Sequence, residues 1–145
     1  MADIKIIRSN EVETLDLIGA GGPKGGMMKK LIYPQYAKTR GVFFGTAEIN
    51  SGYSPHRWHI HTADKAEGYE AVYPEGFEEI YYIVSGSGVV QWITEDGKEK
   101  EEKVGAGNAI FFPSGVVKHQ LLNNSNEKMF MVFCGYPTAK VTYTK

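Results

Sequence analysis

The chain is a succession of short apolar or alternating runs broken by turn-forming residues. Runs at Gly41–Ile49, Arg57–His61, Glu79–Val84, Gly88–Thr94, Ala109–Phe112, Val116–Leu122 and Met129–Phe133 read as strands. Shorter candidates lie at Ile4–Arg8, Met28–Tyr33 and Val141–Thr144. Asp96-Gly97 predicts a tight two-residue hairpin turn, because Gly supplies the positive φ such turns need. No long segment carries a three-to-four helical period, so the pattern predicts an all-β sandwich or barrel. No internal repeat is present, which predicts one barrel spanning 41–145. Residues 1–40 form an extension with short strands and the glycine-rich stretch Gly19–Gly26. That stretch fits neither a Walker nor a dinucleotide fingerprint and reads as a loop.

Three histidines and a glutamate fall at positions that suit one metal ion. His59 and His61 are two apart, so in a strand they project from one face. Glu79 opens an apolar run, and His119 lies in another. Three neutral imidazoles and a carboxylate suit one divalent transition ion (Fe, Mn, Ni, Co or Zn) rather than calcium or magnesium. Protonation of free imidazoles would weaken such a site as pH falls through about 6.5. His56 has the opposite parity to His59 and reads as a surface or supporting residue. Arg57 shares the parity of His59 and His61, and Tyr81 that of Glu79. Both are candidate substrate-binding residues. Asn123, at the end of a strand, reads first as a turn cap.

These residues resemble the two signature motifs of the cupin superfamily. His59, His61, Glu79 and Gly86 match the first; Gly107, Pro113, Gly115, His119 and Asn123 match the second. The resemblance covers about residues 43–133 and implies a single cupin jelly-roll barrel with His59, His61, Glu79 and His119 as its metal ligands. One departure is the stretch Thr62–Glu78, longer than the family's usual gap between the second His and the Glu. Its aromatics suggest a flap over the pocket or against a partner subunit. The gap from Gly115 to His119 is also one residue longer than the commonest form. Of the two adjacent carboxylates, Glu79 is preferred: it has the family's interval to Gly86, and Glu78 would face the other way. The resemblance implies a metal-dependent enzyme acting on a small carboxylate-, enol- or sugar-like substrate, with oxygenase chemistry first. Isomerase, epimerase or lyase chemistry is the near alternative, and a non-catalytic ligand-binding or sensing domain the other. Small cupins commonly pair, so a homodimer formed by addition of the N-terminal strands to a partner's sheet is expected.

Composition narrows the partners. With 145 residues, 42% of them hydrophobic, the chain can bury one sizeable core. A net charge of −1 gives no electrostatic reason to expect nucleic acid or a membrane surface as partner. The single cysteine, Cys134, cannot form an internal disulfide. With no signal-like N-terminus or membrane-length apolar run, this suggests the cytoplasm.

Overall fold

The computed structural model describes residues 3–17, 25–60, 71–72, 76–114, 117–137 and 142–143. His61, Gly115 and most of the 62–78 insertion lie outside these residues. The described chain is almost entirely β, in antiparallel sheets. β1 (Leu15–Asp16), β2 (Gly26–Ile32) and β3 (Phe43–Ile49) are followed by β4 (Ala71–Val72), β5 (Phe77–Ser85), β6 (Ser87–Ile93) and β7 (Glu99–Gly105). β8 (Ala109–Phe112), β9 (Lys118–Leu122), β10 (Met129–Pro137) and β11 (Thr142–Tyr143) complete the set. A six-stranded sheet in the order β1-β2-β3-β10-β5-β8 faces a three-stranded sheet, β7-β6-β9. β4 and β11 pair separately. This is the sandwich expected from the strand pattern, in the jelly-roll form that the family resemblance implies. No described helix is long and apolar enough to cross a membrane.

Alternation fills the space between the sheets. Phe43, Ala47 and Ile49 of β3 turn inward, as do Tyr81 and Ile83 of β5 and Met129, Met131 and Phe133 of β10. β10 lies in the middle of its sheet, paired along its length with β3 on one side and β5 on the other. Two glycines let that pairing close. Phe133 is opposite Gly45 and Phe43 opposite Gly135, and each ring occupies the space a Cβ would need. Gly86, between β5 and β6, has φ +87°, and a Cβ there would come 2.8 Å from the Met129 Cα.

Several predicted elements differ in detail. Ile4–Arg8 is not a strand; it leads into a single 3-10 turn at Ser9–Glu11, and the first strand comes later, at Leu15–Asp16. Of Arg57–His61, only His59 is bridged, to His119, among the described residues. The Asp96-Gly97 hairpin has a three-residue loop, closed by Thr94 N–H donating to the Lys98 carbonyl at 2.9 Å. Gly97 alone takes positive φ there (+80°), so the turn is a type I turn with a glycine bulge. β7 departs from the alternating pattern because Glu99 to Lys103 are all exposed and all charged. Charge suits the outer strand of a sheet, where it discourages pairing with another chain. β2 pairs with β3 of its own chain across Gly26–Ile32, so the N-terminal strands extend their own larger sheet. The sequence led us to expect them on a partner's sheet; they stay on their own because their apolar face is buried against their own barrel.

Asn123 ties three loops together. Its fully buried amide donates to the Ile49 carbonyl at 2.9 Å and the Glu127 carbonyl at 2.7 Å. Its amide oxygen accepts from the Ser125 N–H and hydroxyl. Its backbone bonds Gly52 and Tyr53, holding the segment that leads to His59. Asn123→Ala would strip the donor from two carbonyls and should lower the unfolding free energy by about 3 kcal/mol in urea titrations. A loss below about 0.5 kcal/mol, the scale of ordinary surface changes, would contradict this structural role.

Candidate metal centre

Two of the expected ligands are brought face to face. His59 and His119 form a mutual backbone bridge, each N–H donating to the other's carbonyl at 3.0 Å. Directly opposed residues on neighbouring strands share a face, and the two imidazole centroids lie 4.4 Å apart. β9 holds His119 through its pairing with Trp92 of β6.

Each ring is also fixed in rotation and tautomer. His59 Nδ1 lies 2.6 Å from the Arg57 carbonyl, and His119 Nδ1 lies 2.9 Å from the Val117 carbonyl. A carbonyl only accepts, so both Nδ1 atoms carry the proton and both Nε2 atoms keep a lone pair. Neutral imidazoles held this way are the form that ligates metal. Burial pushes His59 down to about 3, helped by the neighbouring His119 and His56 and opposed by its bond to Arg57. Burial likewise lowers His119. The donor set therefore fits a borderline transition ion without needing to lose a proton from either ring.

Glu79 projects inward from β5, opposite Phe112 of β8, and only 8% of its surface is exposed. Burial pushes its carboxyl up to about 8, opposed by a hydrogen bond from the Tyr81 hydroxyl. Among the described residues no three His, Cys, Asp or Glu side chains form a metal-holding group. The described chain thus joins His59 to His119 and places Glu79 on the inward face of a strand of the opposite sheet. Glu78 is exposed on the other face, as parity requires.

A column of rings links these groups. The exposed His56 lies 4.8 Å from His59, and Phe112 stacks on His119 at 4.2 Å and 23°. Tyr81 meets Phe112 edge-on at 4.7 Å. Phe112 carries no sequence signal of a place at the site; at the end of an apolar run it looks like ordinary core. Tyr81 is buried and bonds Glu79, while Arg57 is exposed and contributes its carbonyl to the orientation of His59.

The cupin domain profile matches residues 60–135, more than half of the chain, and the chain belongs to the cupin family. The fold is similar to that of a predicted oxalate decarboxylase from Thermotoga maritima, at 23% identity and TM-score 0.64 over 92% of this chain and 99% of that one. It is similar to KdgF from Halomonas sp. at 14% identity and TM-score 0.64, over 94% and 96%. The Bacillus subtilis oxalate decarboxylase, which has Mn(II) centres, aligns at 16% identity and TM-score 0.65. That alignment covers 97% of this chain and 32% of the larger protein. No curated protein sequence matches the chain.

The shifted groups set the pH behaviour of the metal-free protein. Unfolded, the Glu79 carboxyl ionises near 4.5; folded, it keeps its proton to about 8, so stability falls as pH rises between those values. His59 acts in the opposite direction. The unfolded imidazole gains a proton below 6.5 and the folded one not until about 3, so stability also falls as pH drops through that window. Urea titrations of metal-free protein should show the alkaline decline, and Glu79→Gln should flatten it. An unchanged slope in that variant would refute the assignment. The folded His59 therefore holds no proton near pH 6.5, where a free imidazole would be half protonated.

Proposed function

We propose that this cupin is a metal-dependent enzyme acting on a small organic substrate that offers oxygen donors. His59, His61, Glu79 and His119 would hold one divalent transition ion. The observation that carries this reading is the bridged His59–His119 pair, with both Nδ1 atoms tied to backbone carbonyls. Such an ion supplies Lewis-acid polarisation of substrate oxygens and, where it is redox-active, a route to dioxygen chemistry. The protein's part is to keep the two imidazoles neutral and oriented, and to hold a carboxyl that can change protonation at Glu79. Arg57 and Tyr81 are the substrate-binding candidates: Arg57 as an exposed cation beside His59, and Tyr81 as the donor bonded to Glu79.

Oxygenase chemistry is the first reading. A lyase or isomerase is the second, favoured by the buried Tyr81–Glu79 acid–base pair and by fold similarity to a predicted oxalate decarboxylase. A homodimer working without nucleic acid or membrane partners, in the cytoplasm, completes the proposal. The outer face of β10, β5 and β8 supports pairing, because Ile80, Tyr82, Phe111 and Tyr136 remain exposed there.

Elemental analysis of protein purified without chelator should find about one transition ion per chain. His119→Ala should remove most of it, Glu79→Gln should weaken retention, and His56→Ala and Glu78→Gln should leave it intact. Near-stoichiometric metal in a His59→Ala/His119→Ala double variant would overturn the centre. Substrate screens with oxygen present and absent then separate the classes: oxygen consumption marks the oxygenase, and anaerobic turnover marks the lyase or isomerase. Tight ligand retention without turnover would mean a binding module. Light scattering should give twice the chain mass, and a monomer would exclude the dimer.

A further inference from the structure

The approach to His59 is longer than the strand it runs beside. Gly52 N–H donates to the Asn123 carbonyl at 2.7 Å and Asn123 N–H to the Tyr53 carbonyl at 2.9 Å, while His59 and His119 bond each other. Six steps of chain separate Tyr53 from His59, against four from His119 to Asn123, so the first side carries two extra residues. They must leave the ladder as a bulge, a device that re-aims a side chain. Pro55 shapes the turn, because its ring fixes its own φ and favours an extended Ser54. His56, Arg57 and Trp58 are exposed in this bulge, yet Ser54 keeps only 4% of its surface accessible. Its buried hydroxyl donates to the His56 carbonyl.

That bond fixes the peptide plane joining His56 to Arg57. The next plane along carries the Arg57 carbonyl, which lies 2.6 Å from His59 Nδ1 and sets the tautomer of the ring. Backbone rungs hold both ends of the bulge, and among the described residues none lies between them. Without a hold in its middle, the Arg57 carbonyl could swing to water. The imidazole proton could then move to Nε2, the atom that must stay unprotonated to ligate. We propose that Ser54 is a positioning residue for His59: it locks the bulge so that the Arg57 carbonyl stays on Nδ1 and Nε2 keeps its lone pair. Its action on the ring rests on the loop geometry alone, and only its action on metal rests on the metal-centre reading.

Heteronuclear NMR of metal-free protein at neutral pH reads the tautomer of each ring, with His119, oriented by the Val117 carbonyl, as internal control. Both wild-type rings should show the single Nδ1–H form. Ser54→Ala should turn His59 into a mixture of tautomers and leave His119 unchanged. Ser54→Thr should restore the single form, and Ser54→Cys, a weaker donor, should fall between. Co(II) titrations should follow the same order, with affinity about tenfold lower in Ser54→Ala. Should Ser54→Ala fail to fold, the Thr and Cys variants carry the comparison. A His59 ring that keeps one tautomer in Ser54→Ala, or a change shared equally by His119, would overturn the proposal. So would a wild-type His59 without the Nδ1–H form. Absence of Co(II) uptake by the wild-type protein would refute the metal centre, and the His59 tautomer would still decide the role of Ser54.

Discussion

The mutual backbone bridge between His59 and His119 is the constraint on which the site depends. It closes the smaller sheet on the side of β9 and sets two imidazoles directly opposite each other. Because the bonds are between backbones, the pairing does not depend on the side chains it positions. The side chains then add a second restraint through their Nδ1 atoms. A ring fixed at its Cβ and at one nitrogen has little freedom left, and the orienting partners are carbonyls that cannot titrate.

That bridge holds only because the chain around it is anchored. Asn123, four residues after His119, bonds the loop that leads toward His59. β10, threaded between β3 and β5, fixes the larger sheet against which Phe112 and Glu79 are placed. The Phe43–Gly135 and Phe133–Gly45 exchanges make that threading possible without a gap, since each ring fills the volume its opposite glycine leaves.

Burial acts in opposite ways on the imidazoles and on the carboxyl. It disfavours the cationic form of both imidazoles, which suits ligation, and the anionic form of Glu79, which opposes it. An ion held as proposed would therefore displace a proton from the carboxyl and none from the rings. Proteins of the same fold include a manganese-containing decarboxylase and KdgF.

Much of the fold and part of the site are legible in the amino-acid sequence. Short strands broken by turns mark a sandwich or barrel, the family resemblance makes it a jelly roll, and two-residue spacing marks His59 and His61 as candidates for one face. Parity separates Glu79 from Glu78, because a period of two leaves no third direction for a strand side chain. Local signals fail where context decides. The charged β7 has no apolar alternation, and its strand state comes from pairing with β6. Asp96-Gly97 announces a turn but not its length, which the Thr94–Lys98 closure sets. Phe112 looks like core, and only the juxtaposition of β8 with β9 places its ring on His119. By itself the sequence determined which residues can share a face. Their partners across sheets, their depth and hence their protonation were decided by tertiary structure, because burial and opposition are properties of chain segments far apart in sequence.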